Sequence, residues 1–161
     1  MTIDEAKETK LGQFFTLHEF IDSDTAQRKG LMKNQLAISK DAIDNAKWLC
    51  SEILDKVRNQ FGAVHISSGY RSSALNEAIG GSTTSQHCKG EAADIQLPNL
   101  ELVFRYIKNH LWCDQVIFER KGSEGSGYVY WIHVSKKRIG HNRGEAFYMT
   151  NNKKSPKFEV K

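Results

Sequence analysis

A histidine and an aspartate stand seven positions apart in the stretch SQHCKGEAADI, residues 85–95. A neutral imidazole and a carboxylate are both good zinc ligands. Between His87 and Asp94, Gly90 permits an unusual backbone angle, and two alanines leave room for close packing. A turn in this stretch can fold one ligand back towards the other, which makes it a candidate metal site.

A catalytic zinc site usually has three protein ligands and an open position. His133, in the aromatic stretch YWIHVS, is the best third candidate. Cys88 is adjacent to His87, and adjacent side chains rarely point at one ion, so we do not expect Cys88 to be a ligand. The spacing of His87 and Asp94 is a weak signal when it is taken alone.

Two amphipathic helices are predicted around these residues. The first begins at Ser39, a good N-cap, and ends at Gly62, which can adopt a left-handed turn. The second begins after Asn99, which can cap it. Their apolar residues recur at steps of three and four: Ile43, Ala46, Cys50, Ile53, Leu54, Val57 and Phe61 in the first, and Leu100, Val103, Phe104, Ile107 and Leu111 in the second.

Short apolar runs predict the strands that would carry the candidate ligands. The predicted strands are VHIS (64–67), AADIQL (92–97), QVIFE (115–119) and YVYWIHVS (128–135). The last two flank RKGSEGSG, whose three glycines indicate a hairpin with a long loop. Helices come first and a mostly antiparallel sheet with one more helix follows, so the predicted fold class is α+β.

Composition is that of a water-soluble globular protein. The chain has 161 residues and a net charge of +4, and residues 136–161 hold eight Lys or Arg against two Glu. We interpret this basic end as a solvated surface rather than a docking site for an anionic partner. No apolar run is long enough for a membrane span, and the polar N-terminus lacks the core of a signal peptide, so we expect synthesis in the cytoplasm. Three cysteines without paired spacing argue against disulfides.

The motif SxHxxGxAxD, with SGYRS upstream and WIHVS downstream, resembles the zinc D-alanyl-D-alanine carboxypeptidases and related phage endolysins. These peptidases share the zinc fold seen in hedgehog signalling domains. The likeness includes FTLHEF, SDTA and DQVIFE and covers about residues 14–143. It implies a zinc peptidase domain of this fold over residues 14–143, between a polar lead (1–13) and a basic tail (144–161).

The resemblance also implies roles for individual residues. It makes His87, Asp94 and His133 the ligands of a Zn²⁺ cofactor. Arg71, in SGYRS, matches an arginine that holds a substrate oxygen near the metal, and a fixed guanidinium can stabilise an oxyanion there. Two further residues are left with two interpretations each: Ser85 orients the backbone or binds the peptide, and Trp131 forms a wall of the substrate cleft or fills the core.

The general base has no single candidate by motif. Many relatives carry an acid three positions before the last histidine, but Tyr130 stands there, and a tyrosine with a pKa of about 10 is a poor base at neutral pH. The relatives closest in motif carry the acid in a DQ(L/V)I-x-E strand, which makes it Glu119 here. An antiparallel hairpin would place Glu119 opposite Tyr130 or Trp131, within reach of water above His133.

Two other acids are weaker candidates for the base. Glu124 lies in the glycine-rich loop, and Glu91 is expected to face solvent.

The sequence therefore predicts a monomeric zinc metallopeptidase that hydrolyses peptidoglycan stem peptides containing D-alanine. Carboxypeptidase and endolysin-type endopeptidase activities both remain open, and the absence of a signal peptide suits a phage enzyme released at lysis. No nucleic-acid partner is expected, because the aromatic and glycine pattern of common RNA readers is missing. The alternative is a non-catalytic zinc-containing binding domain of the hedgehog type, which Tyr130 at the usual base position favours.

Overall fold

The computed structural model describes residues 1–160, in which helices pack on a six-stranded sheet. The α-helices are α1 (Ile3–Glu8), α2 (Leu17–Ile21), α3 (Asp24–Arg28), α4 (Met32–Leu36), α5 (Lys40–Leu49), α6 (Asp55–Phe61), α7 (Ser73–Ala78) and α8 (Leu100–His110). A π-helical turn (Cys50–Leu54) joins α5 to α6, and a 3₁₀ turn (Gln86–Lys89) precedes the second strand. The strands are β1 (His65–Ser68), β2 (Ala92–Gln96), β3 (Gln115–Ser123), β4 (Gly127–Ser135), β5 (Glu145–Thr150) and β6 (Lys153–Ser155).

The two predicted amphipathic helices are confirmed, with one difference at a cap. The Ser39 hydroxyl accepts a hydrogen bond from the Ala42 N–H at the start of α5. Gly62 ends α6 with a φ of +88°. Asn99 stands at the N-cap position of α8, but its own φ is +61° and its side chain caps nothing. Asn99 therefore adopts the left-handed conformation at the start of α8 instead of capping the helix with its side chain.

The sheet is mixed, which corrects the prediction of a mostly antiparallel sheet. The strand order is β1-β2-β4-β3-β5-β6, and β5 runs parallel to β3. Buried Asp114 explains the direction, because it accepts hydrogen bonds from the backbone N–H and the guanidinium of Arg143. The loop after β4 is thus held at the end of the sheet where β3 begins, and Glu145 enters beside Gln115.

The β3–β4 hairpin is longer than predicted and its loop is shorter. Pairing continues as far as Ser123 with Gly127, so three residues close the turn instead of a long loop. Gly122 and Gly127 have φ values of +133° and +84°. The glycines therefore serve the two strand ends at the turn rather than a flexible loop.

The core lies on one face of the sheet. Alternate residues of β2, β3 and β4 point into it, namely Ala93, Ile95, Val116, Phe118, Ile132 and Val134, and the buried residues Val103, Phe104 and Ile107 of α8 pack there too. Phe158 also belongs to this core, with its ring centroid 5.2 Å from that of Phe118. The residues predicted as a basic tail thus contribute two strands and a core aromatic side chain. The other face of the central strands remains free for polar side chains.

None of the helices within residues 1–160 has the length and apolarity that a membrane span requires.

The turn before β2 lies very close to α5. Gly90 has a φ of +70°, and a Cβ atom built there would lie 2.2 Å from the backbone oxygen of Ala42. Backbone cannot move aside as a flexible side chain can. Gly90 is therefore required by both its conformation and its contact.

We expect Gly90→Ala to lower the free energy of unfolding by more than about 1 kcal/mol, the usual cost of a left-handed residue that is not glycine. Urea denaturation measures this change. Gly125→Ala is the matched control, because a Cβ at Gly125 meets no atom within 4 Å. Equal stability of the two variants would contradict the close approach at Gly90.

Candidate metal centre

Two of the predicted ligands face each other across the centre of the sheet. Asp94 of β2 pairs directly with His133 of β4. The neighbours of both residues along the chain point into the core, so the two side chains lie on the opposite, polar face. His133 Nδ1 lies 2.9 Å from Asp94 Oδ1.

His87 reaches the same point from the 3₁₀ turn. The residue is 3% exposed, and its Nδ1–H donates a hydrogen bond of 2.7 Å to the carbonyl oxygen of Gly69. This bond fixes the tautomer, since a carbonyl oxygen can only accept. The Nε2 lone pair of a neutral His87 is therefore directed at His133 Nδ1, 3.3 Å away, and at Asp94 Oδ1, 3.4 Å away.

Gly69 is suited to this contact by its lack of a side chain. A Cβ at Gly69 would lie 2.5 Å from the backbone oxygen of Phe20. The glycine of SGYRS thus lets the chain pass under α2 while its carbonyl orients His87.

The three side chains fit a zinc ion. A tetrahedral site with bonds of about 2.0–2.1 Å separates its ligand atoms by about 3.3–3.4 Å, which two of the three observed separations match. One proton between His133 and Asp94 leaves the His87 lone pair without a donor, whereas a cation satisfies all three atoms. Within residues 1–160, His87, Asp94 and His133 form the group of metal-ligating side chains whose ligand atoms all lie within 4.8 Å of one another.

The electrostatics of the site keep the ligands in their metal-binding forms. Burial lowers the pKa of His87 and so favours the neutral imidazole. Burial opposes ionisation of Asp94, but the two histidines outweigh it and hold the pKa of Asp94 well below its usual range. A carboxylate and an unprotonated imidazole nitrogen are the forms that bind Zn²⁺.

Glu119 lies beside this centre on the next strand. The expected register is confirmed, since Glu119 pairs with Trp131, two residues from His133 on the same face. Burial and the nearby Asp94 carboxylate raise the pKa of Glu119 to about 7, against the opposing effects of His133 and Arg71. A carboxyl group with this pKa can take up and release a proton near neutral pH.

Tyr130 and the other two acids are placed differently. Tyr130 pairs with Arg120, packs against the core and has its ring centroid 6.0 Å from that of Phe158, so it lies on the face away from the ligands. Glu124 lies in the turn at the far end of the hairpin. Glu91 is buried, not solvent-facing as expected, because the chain enters the sheet there and its carbonyl accepts a hydrogen bond from the Lys136 N–H.

A cleft of about 390 Å³ opens above the polar face and is lined by Asp94, Arg71 and Trp131, among others. Arg71 donates from Nε to the Ser68 hydroxyl at 3.1 Å, and its Nη2 lies 3.5 Å from Asp94 Oδ2. The guanidinium is therefore held at the cleft wall, close to the ligand group.

Trp131 is half-buried at the same cleft, which favours the wall over the core as its place. Ser85 is not among the residues that line the cleft. It begins the 3₁₀ turn, where its carbonyl accepts a hydrogen bond from the Cys88 N–H. Cys88 stays outside the ligand group, and all three cysteines are free thiols.

Sequence reasoning missed two features of this site. The carbonyl of Gly69 orients His87, and a backbone group leaves no mark in residue type, although the glycine in SGYRS was a signal. Lys121 also lines the cleft. Its position two residues after Glu119 on one strand could have indicated that it shares the polar face.

The sequence profile of the Peptidase M15 family matches residues 13–135. The chain belongs to the Peptidase M15 family. No curated protein matches the chain in a sequence comparison. Membership in Peptidase M15 implies a metallopeptidase, and members of this family are typically zinc-dependent. The matched residues include all three candidate ligands, Arg71 and Glu119.

Metal analysis of the purified protein should find about one zinc per chain, since the centre offers one three-ligand site. His87→Ala, Asp94→Ala and His133→Ala should each lower zinc occupancy strongly, whereas Cys88→Ser, next to a ligand in sequence, should not. Atomic absorption on dialysed protein measures the occupancy. The ligand set is wrong if Cys88→Ser removes zinc as fully as His87→Ala.

The raised pKa of Glu119 predicts a pH-dependent stability in chelator-treated protein. The folded state holds this proton more tightly than the unfolded chain, with a pKa of about 7 against 4.5. The contribution to stability is present below about pH 4.5 and is lost as pH rises through about 7. Glu119→Gln removes this titration, so the variant should gain stability relative to wild type by roughly 1–3 kcal/mol between pH 5 and pH 8. Urea denaturation at both pH values measures the free energy of unfolding of each protein. If the difference between variant and wild type is the same at pH 5 and pH 8, the carboxylate is not buried as described.

Proposed function

We propose that this protein is a zinc-dependent peptidase that hydrolyses peptidoglycan stem peptides containing D-alanine. The convergence of His87, Asp94 and His133 beside the cleft, together with an acid of raised pKa on the neighbouring strand, carries the proposal. A purely structural zinc site is closed by four ligands, whereas a catalytic site keeps a position open. The three-ligand group at a cleft matches the catalytic kind.

The metal and the acid have separate tasks in this mechanism. When bound, a zinc ion polarises a peptide carbonyl and lowers the pKa of water. Glu119 takes a proton from the attacking water and then delivers it to the nitrogen of the leaving amine. Its half-buried position beside Trp131 keeps the proton available at neutral pH, because burial disfavours the carboxylate form.

Arg71 acts on the oxygen of the peptide carbonyl that is attacked. Its bond to Ser68 fixes the guanidinium before substrate arrives, so little reorganisation is needed as negative charge develops on that oxygen. Asp94 Oδ2 lies 3.5 Å from the same guanidinium and helps to hold it at the cleft wall. Trp131 provides an apolar wall against which the peptide can pack.

The substrate class follows from the likeness of SxHxxGxAxD, SGYRS and WIHVS to D-alanyl-D-alanine carboxypeptidases and phage endolysins. Carboxypeptidase and endopeptidase activities both agree with this likeness. Incubation of zinc-loaded protein with defined muropeptides, followed by mass analysis, separates them. Loss of one terminal D-alanine indicates a carboxypeptidase, and separation of cross-linked stems indicates an endopeptidase.

A non-catalytic zinc-containing binding domain of the hedgehog type is the second candidate. Tyr130 at the usual base position is the observation that favours it. The placement of Glu119 weakens this alternative, because an acid is available on the neighbouring strand. Absence of any cleavage by zinc-loaded protein would favour the binding domain.

Removal of the Glu119 carboxylate should separate catalysis from metal binding. Glu119→Gln keeps the size of the side chain and should retain zinc, while muropeptide hydrolysis falls roughly 100- to 10,000-fold, the usual range for general acid–base catalysis. Activity and zinc content are measured on the same samples.

Tyr130→Phe is the control for the Glu119 experiment, and it should cost much less, since Tyr130 lies on the core face. Glu124→Gln and Glu91→Gln test the other acids. The mechanism is overturned if Glu119→Gln keeps near-wild-type activity while one of these variants is inactive.

A further inference from the structure

The cleft above the metal centre adjoins a second groove. Lys121 lies at one end of the cleft, and Asp22, Ser23 and Thr25 lie at the other. The same three residues and Ser67 also line a cavity of about 480 Å³ between β1 and the helices α2 and α3. The two spaces adjoin at these residues, and we call them together the channel, which passes Asp94 of the metal centre and follows β1.

One wall of the groove is the free edge of the sheet. β1 is an edge strand, and its partner on the inner side is β2. Apart from this ladder, residues 64–68 make no backbone–backbone hydrogen bond with any residue between 1 and 160. Alternate residues of an antiparallel strand direct their N–H and C=O groups away from the neighbour. The groove thus offers free amide donors and acceptors to the amide groups of a bound peptide.

The two ends of the channel carry opposite charge. Glu19, Asp22 and Asp24 line the groove against one arginine, Arg28. At the other end Lys121 is exposed, and it makes no ion pair with any side chain in the described part of the chain. A strand rises about 3.3 Å per residue, so Lys121 is attached about 7 Å beyond Glu119 along β3.

We propose that a peptide substrate binds in one direction, with its C-terminal carboxylate towards Lys121 and its amine-bearing N-terminal part in the groove along β1. The inference rests on the proposed peptidase function. The reverse direction would place the carboxylate among the acids of the groove and the amine beside Lys121, so it is disfavoured at both ends. A stem peptide that carries a diamino acid before its D-alanine residues has the matching charges.

The experiment uses four versions of one lysine-containing stem pentapeptide. Its C-terminus is a carboxylate or an amide, and its lysine amine is free or acetylated. Lys121→Met should lower kcat/KM about 2- to 5-fold on the carboxylate peptides and leave the amide peptides unchanged, the size expected for one partly exposed ion pair. The double variant Asp22→Asn, Asp24→Asn should lower kcat/KM by a similar factor on the free-amine peptides and leave kcat/KM on the acetylated peptides unchanged.

Matched charge changes outside the channel provide the controls. Lys108→Met on α8 and Asp41→Asn on α5 alter exposed residues that line neither cavity, so they should show neither pattern. Calorimetric binding of the same four peptides to the zinc-loaded Glu119→Gln protein should repeat the two patterns in Kd, which tests direction without cleavage.

Each outcome decides a different claim. The proposed direction is overturned if the effect of Lys121→Met does not depend on the C-terminal group of the peptide and the effect of the double variant does not depend on the lysine amine. If the Lys121 variant responds to the lysine amine of the peptide and the double variant responds to its C-terminal group, the peptide binds in the reverse direction, and the proposal is overturned too. If wild-type protein cleaves none of the four peptides, the peptidase proposal fails, and the calorimetric pattern still decides how a peptide lies.

Discussion

The direct pairing of Asp94 with His133 across β2 and β4 is the constraint on which the rest of the site depends. Side chains alternate along a strand, so a slip of one residue would turn one of the two ligands into the core. The core prevents that slip. Ala93 and Ile95 on β2, like Ile132 and Val134 on β4, are fully buried on the other face, and a slip would expose one of these pairs. Burial of apolar surface thus sets the geometry of the polar centre.

Much of this arrangement could be predicted, because periodicity and spacing are local properties. The helix from Ser39 to Gly62 and the strands that carry Asp94 and His133 follow from residue types within short windows. Counting along the hairpin predicted that Glu119 lies opposite Tyr130 or Trp131, and its partner in the structure is Trp131. Metal ligands are also recognisable in sequence, since few residue types can hold zinc.

The parts that could not be predicted depend on contacts between distant residues. The parallel direction of β5 follows from the hydrogen bonds that Arg143 donates to Asp114, and neither residue indicates its partner in sequence. The C-terminal segment is rich in basic residues, so its sequence did not indicate two short strands or a buried Phe158. Phe158 is buried because it packs on a core that β3 and β4 form. Likewise, the hydrogen bond from His87 to the carbonyl of Gly69 involves backbone, which any residue type would offer.

The position of Tyr130 has a geometric explanation that also accounts for Glu119. In the regular strand β4 of this chain, Tyr130 points to the face opposite to His133 and packs there with Phe118 and Phe158. The acid on the ligand face comes instead from the neighbouring strand, where Glu119 of β3 pairs with Trp131. Burial also makes Glu119 titrate differently from Asp94. The pKa of Glu119 is raised to about 7, whereas the Asp94 carboxyl group stays ionised. Two carboxyl groups on one face of the sheet can thus take different roles, one as a ligand and one as an acid–base group, because their surroundings move their pKa values apart.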